Sequence, residues 1–275
     1  MPLPNKVYTL HEIGGRKNNE DAVWPAPGDG PYPDNPLFMV CDGVGGNSHG
    51  EVASEFACRY ISEYFNKNLK SEDQLNVGFL EQAREFAMEK FRQYIAENPE
   101  AERMSTTLTL AYLKKDSVFL AWCGDSKIFQ LRNGNVIYQS EDHSLVNELV
   151  KRGEITPEEA VTHPQRNIIT RSLQATEPYS EMQTAELTDV KEHDYILLCS
   201  DGVTENITPA KLKFILASEP EEDLLEQFQQ YCYGKTRDNY SMQLIQLSFS
   251  RAAVPGTAPV KKEGGFKAFI KRLVS

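Results

Sequence analysis

Cysteine is sparse in this 275-residue chain, and its placement excludes a disulfide scaffold. The five residues, Cys41, Cys58, Cys123, Cys199 and Cys232, are odd in number, widely spaced and mostly embedded in apolar runs. That pattern suits reduced core thiols, and no Cys-x-x-Cys pair offers a zinc site. The chain also lacks an apolar run of the ~20 residues needed to span a bilayer. Its start, MPLPNKVYTL, has neither the charged head nor the apolar body of a secretory signal, so the expected location is cytoplasmic. Basic residues are in the minority: 29 Lys and Arg against 40 Asp and Glu give a net charge of -11 and a pI near 5.1. Nucleic acid and anionic membranes are therefore not expected partners of the chain as a whole, whereas cations are.

What is present centres on Leu37 to Gly50, reading LFMVCDGVGGNSHG. The apolar run Leu37–Cys41 predicts a buried strand, ended by Asp42-Gly43 and a second pair, Gly45-Gly46. Glycine there lets backbone approach an ion or phosphate without a side chain intervening. Before it, residues 6–13 read as a strand and residues 25–36 as a Pro-, Gly- and Asp-rich surface loop. After it, Val52 to Phe65 recur at helical spacing, and a second helix is predicted from Leu75 to Glu97. The period then changes to that of strands near 106–113, 117–123, 127–131 and 136–139, the last two joined by Asn133-Gly134. Strands recur near 181–187, 194–200 and 241–250, with helices opening at Pro209 and near Glu221 between the last two. Runs of strands with helices in pairs predict an α+β sandwich of mainly antiparallel sheets with helices outside.

One local echo matters. ILLCSDGV at Ile196–Val203 resembles FMVCDGV at Phe38–Val44, and a third apolar strand ends in Cys123-Gly124-Asp125. With Glu20-Asp21 and Asp238-Asn239, acidic residues border five β segments. Clustered carboxylates repel one another unless protonated or bridged by cations. An oxygen-only donor set suits Mg²⁺ or Mn²⁺. Two such ions roughly 3.5 to 4 Å apart can orient a phosphate ester, offset its charge and lower the pKa of a bridging water. The competing reading is that each Asp merely caps a turn, since Asp-Gly is a common turn dipeptide.

The ordered set Arg16, Glu20-Asp21, Asp42-Gly43-Val44-Gly45-Gly46, Ser105-Thr106-Thr107, Gly124-Asp125-Ser126, Asp142-His143-Ser144, Ser200-Asp201-Gly202 and Asp238-Asn239 resembles the PPM family. These are the metal-dependent type 2C protein serine/threonine phosphatases, and the resemblance is to compact bacterial members. It implies an αββα sandwich of two central sheets flanked by helix pairs, with a small flap at about residues 142–173, in a domain spanning 1–250. It further implies a binuclear Mn²⁺ or Mg²⁺ centre in which Asp42 bridges both ions and the Gly43 carbonyl binds the second. Asp201 and Asp238 complete the first ion's shell. Glu20 and Asp21 hold metal-bound waters, and Asp125 with Asp201 takes a third, weaker ion. Arg16 falls where the family binds phosphate. Hydrolysis by a metal-bridging hydroxide without a phosphoenzyme follows, with a phosphorylated protein as substrate, a Ser/Thr kinase pathway as counterpart and a monomer as the working form.

Departures limit the transfer. Val44 and Asn47 stand where relatives can carry histidine, leaving His49 as the candidate general acid if its loop folds back. His143 and His163 read as structural. Residues 251–260 have linker composition, and 261–275 form a basic amphipathic stretch suited to a partner or to anionic lipid. Two rival functions remain open on sequence: a catalytically silent binding module with this fold, and a phosphatase dedicated to one regulator or to small phosphate esters.

Overall fold

The computed structural model describes residues 2–27, 36–44, 49–176, 179–217 and 224–249. Gly45, Gly46, Asn47, most of the 25–36 loop, the 251–260 linker and the 261–275 tail lie outside these residues. Two five-stranded sheets form the centre, and every strand pairing in them is antiparallel. The first runs in the order β1 (Pro2–Glu12), β12 (Tyr240–Phe249), β11 (Tyr195–Cys199), β7 (Lys127–Arg132), β8 (Asn135–Gln139). The second runs β10 (Gln183–Leu187), β6 (Val118–Cys123), β5 (Leu108–Leu113), β3 (Leu37–Asp42), β2 (Asp21–Trp24). A two-stranded ribbon, β4 (Ser105–Thr106) with β9 (Leu173–Gln174), completes the set.

Alternation along each strand builds three apolar layers. Leu37, Met39 and Cys41 of β3 face α1 (Gly50–Asn68) and α2 (Val77–Glu97), packing with Ala53, Ala57, Ile61, Leu80 and Phe91. Phe38 and Val40 point the other way, into the layer between the sheets with Ile196, Leu198 and Ile245. Leu197, Met242 and Leu244 face the third layer, formed with α5 (Asp201–Asn206), α6 (Pro209–Ala217) and α7 (Leu224–Cys232). Strands covered on both faces read as continuous apolar runs, which is why β3 and β11 are conspicuous in the sequence. Helix, sheet, sheet, helix is the resulting order of layers, the expected αββα sandwich.

Four features differ from the sequence reading. β1 begins at Pro2 rather than Lys6, because it is an edge strand where proline is tolerated, and its register shifts between Pro4 and Lys6. β2 was not anticipated, being only four residues of mixed burial, nor were the two-residue strands of the ribbon. Finally, Asp201 does not end in a simple turn like Asp42 but opens α5, adding a short helix to the expected α6 and α7 pair. Between β8 and β9 the chain leaves the sheets as α3 (Leu145–Lys151) and α4 (Pro157–Thr162), capped by Ser144 and Thr156.

Candidate functional site

Register alone brings the acidic residues to one end of the sandwich. Asp21, opening β2, pairs with Asp42, closing β3. Leu108 at the start of β5 pairs with Cys123 at the end of β6, so Asp125 follows at the same edge. In the other sheet, Cys199 pairs with both Met242 and Lys127, which places Asp201 and Asp238 there as well. Five carboxylates, far apart in sequence, converge because their strands are neighbours.

Backbone and hydroxyl contacts fix them. The Asp42 amide donates to Thr107 Oγ1 at 3.0 Å, and the Asp42 carbonyl accepts from the Thr107 amide at 2.8 Å and from Thr106 Oγ1 at 2.9 Å. The Gly43 amide donates to the Glu20 carbonyl at 2.9 Å, and a β-carbon at Gly43 would stand 2.4 Å from the Gly50 oxygen. Only glycine fits that approach. The same holds at Gly202, where a β-carbon would lie 1.9 Å from the Asn239 oxygen. Ser200 Oγ donates to Asp21 Oδ2 at 2.9 Å and accepts from the Ser241 amide at 3.0 Å, tying the two sheets together at the site.

The electrostatics are those of an acidic basin. Burial, and then the charges of Asp21, Asp201, Asp125 and Asp238, hold the Asp42 carboxyl well above the usual range. Asp201 is pushed up to about 8 by burial and then by Asp125, Asp238 and Asp21. Burial raises Asp21 to about 6 against hydrogen bonds from Ser241 and Ser200, and Asp125 to about 6 against the opposing charge of Lys127. Glu20 is raised by burial and by Glu51. Glu20, Asp21, Asp42, Asp125 and Asp201 are thus each held toward the protonated form, by burial first of all.

Arg16 is exposed at the rim, with Nη2 2.5 Å from Asp238 Oδ2. Lys127 pairs with Asp142 at 2.5 Å. His49 lies at the N-cap of α1 with left-handed backbone, its ring edge-on to Tyr94 of α2 at 6.0 Å and its Nδ1 buried without a partner. His143 is buried, as a structural histidine should be, accepting from the Gly124 amide at Nδ1, 3.1 Å. His163 Nδ1 accepts from the Gln165 amide within the excursion.

A divalent cation fits this donor set. Asp21 Oδ1 and Asp201 Oδ1 are buried with no hydrogen-bond partner, an expensive state for a carboxylate that a cation would relieve. Oxygen donors of this kind suit Mg²⁺ or Mn²⁺. Among the described residues, no three side chains already form a closed ligand cage, so the arrangement is a basin rather than a finished shell.

The protein phosphatase 2C family model matches residues 19–246. The chain belongs to the protein phosphatase 2C family. It is 34% identical over 186 residues to the serine/threonine phosphatase stp of Listeria welshimeri, covering 67% of this chain and 73% of that one. The crystal structure of serine/threonine phosphatase Stp1 from Staphylococcus aureus superposes with a TM-score of 0.77 at 32% identity, covering 90% of this chain and 98% of that one. The catalytic domain of the serine/threonine protein phosphatase PstP, solved in complex with two manganese ions, superposes with a TM-score of 0.69 at 25% identity, covering 90% and 99%. This phosphatase 2C therefore carries its family's fold across nearly all of the described chain.

Sequence reasoning overlooked the residues that hold the basin together in this phosphatase 2C. Asn239 is the main one: its Oδ1 accepts from the Glu20 amide at 2.9 Å, and its Nδ2 donates to the carbonyls of Ile13 and Asn18, both at 2.8 Å. It anchors the loop that carries Arg16 and Glu20. Its position beside Asp238 was visible in the sequence, but a buried Asn among polar neighbours gives no signal of its partners. Ser126, whose Oγ lies 2.8 Å from Thr107 Oγ1, was quoted in its motif but given no partner.

Proposed function

We propose that this chain dephosphorylates phosphoserine and phosphothreonine in proteins, without a phosphoenzyme, using a binuclear Mn²⁺ or Mg²⁺ centre in the carboxylate basin. The observation that carries the reading is Asp42, a half-buried carboxylate pressed by four others, a placement that costs stability unless cations are bound. Asp42, the Gly43 carbonyl, Asp201 and Asp238 would hold the two ions, with Glu20 and Asp21 behind them and Asp125 with Asp201 at a weaker third position. When bound, the ions supply an activated water and offset phosphate charge.

The chain's own groups do the rest. Arg16 presents its guanidinium fork to the phosphoryl oxygens at the mouth. Thr106, Thr107 and Ser200 hold the Asp42 and Asp21 segments rigid through the bonds above. Packing of the His49 ring against Tyr94 favours solvent, rather than His49, as the source of the leaving-group proton. Residues 142–173 serve as a flap within a domain of residues 1–250. A cytoplasmic monomer acting opposite a Ser/Thr kinase completes the proposal. Among the described residues no helix is long and apolar enough to cross a membrane.

Phosphate release from a phosphothreonine peptide by purified protein in Mn²⁺, Mg²⁺ or EDTA tests it. Turnover with metal and none in EDTA is expected, with Asp201→Asn inactive. Hydrolysis of p-nitrophenyl phosphate but of no phosphopeptide would point instead to small esters, and no turnover at all would point to a silent binding module.

A further inference from the structure

Asp21 is the carboxylate of the basin that faces Asp42 across β2 and β3, and two arms hold it. On one side Asn19 Oδ1 accepts the Asp21 amide at 3.1 Å. On the other, Ser200 Oγ donates to Asp21 Oδ2 at 2.9 Å while accepting from the Ser241 amide at 3.0 Å. Asp21 Oδ1 has no hydrogen-bond partner. The aim of the carboxylate therefore depends on the residues behind it.

His11 joins the two arms. It lies near the end of β1, directly opposite Ser241 of β12, and of the five histidines it alone is set in a strand. Its Nδ1 is 3.1 Å from Ser241 Oγ, and its Nε2 is 3.4 Å from Asn19 Nδ2. These partners fix the ring's proton. Because Asn19 Oδ1 is taken by the Asp21 amide, Nδ2 is the atom that faces the ring, and an amide nitrogen only donates. Nε2 accordingly accepts, so the proton of the neutral ring sits on Nδ1 and is donated to Ser241 Oγ. With a lone pair engaged in this way, the Ser241 hydroxyl is left to turn its own proton toward Asp21, whose pKa it works to lower. Burial lowers the pKa of His11 against the charge of Glu12, which favours this neutral ring.

We propose that His11 is a positioning residue for the cation site: it clasps Ser241 and Asn19 and through them holds Asp21 in place beside the ions. This rests on the binuclear-centre reading above. His11 stands behind the cleft and lines none of it, so its influence on the ions passes through Asp21. Residues that orient a metal site from behind typically cost about 10- to 100-fold in metal affinity or activity when they are replaced.

The experiment is calorimetric titration of Mn²⁺ into wild type, His11→Leu and His11→Asn, with KM for a phosphothreonine peptide at saturating Mn²⁺ alongside. Leu and Asn share one branched shape, and only Asn can donate to Ser241 from near the Nδ1 position. His11→Leu is expected to bind Mn²⁺ about tenfold more weakly, the low end of that range, and His11→Asn to recover most of the loss. KM is expected to keep its wild-type value in both. Ser241→Ala breaks the same contact from the neighbouring strand and keeps the test decisive should His11→Leu fold poorly. It should weaken Mn²⁺ binding as His11→Leu does, and the double variant should weaken it no further. Wild-type affinity in His11→Leu, no recovery in His11→Asn, or additive losses in the double variant would overturn the positioning role while leaving the cation site intact. A wild-type protein that binds no Mn²⁺ would overturn the cation reading itself.

Discussion

Asp21 stands directly opposite Asp42 across the antiparallel β2–β3 pair. Like charges in that relation destabilise a sheet. Ser200 satisfies one Asp21 oxygen, but Oδ1 is buried without a partner. The repulsion is built into the register of the central sheet, so the fold sacrifices stability at the proposed cation site.

Relieving that repulsion should stabilise the metal-free protein. Asp42→Asn is expected to raise its unfolding free energy by about 0.5 to 1 kcal/mol, the scale of a cross-strand charge pair, while abolishing phosphatase turnover. Urea unfolding in EDTA reads the first effect, and a variant less stable than wild type would contradict it.

Asn239 makes a different prediction, because it holds backbone rather than ligand. Asn239→Ala strips one acceptor and two donors from the loop of Arg16 and Glu20. Buried groups left unpaired cost about 1 to 3 kcal/mol, and misplacement of a binding loop by about 1 Å can cost roughly 10²-fold in rate. Asn239→Asp keeps the acceptor for the Glu20 amide and should fall between. Equal kcat/KM for wild type and the Ala variant would remove the anchoring role.

The layers and the main strands were legible in the sequence because their residues are buried on both faces. Phe38 to Cys41 and Ile196 to Cys199 announce themselves as apolar runs, and Asp42 and Asp201 stand at their ends. Asp125 and Asp238 were legible through their place after and before predicted strands. β2 was not, since Ala22 and Trp24 are only partly covered and the strand is too short to show a period. Nor was the anchoring by Asn239, whose three partners lie more than two hundred residues away. Contacts of that separation are created by strand order, which local pattern does not encode. Ser144 and Thr156 are of the residue types that cap α3 and α4, but where these helices would lie against the sandwich was not legible.

His143 supplies the pH dependence. The Gly124 amide donates to its Nδ1, so the proton of the neutral ring sits on Nε2, 3.0 Å from Gln183 Oε1. Burial lowers its pKa, Arg171 and Lys151 act in the same direction, and Gln183 and Asp142 oppose. A histidine with a lowered folded-state pKa binds fewer protons folded than unfolded. Its contribution to stability is therefore present above about pH 6.5 and declines as pH falls below that value. In metal-free unfolding between pH 7 and pH 5, the stability of His143→Gln is expected to fall less steeply than that of wild type. Parallel stability curves would contradict this.

The central claim is that five carboxylates at one end of the sandwich form a site for divalent cations, and calorimetric titration of purified protein with Mn²⁺ tests it most directly. The account predicts at least two Mn²⁺ bound per chain by wild type and a loss of that binding in Asp42→Asn. A wild-type protein that binds no Mn²⁺, or an Asp42→Asn variant that binds it as wild type does, would contradict the account.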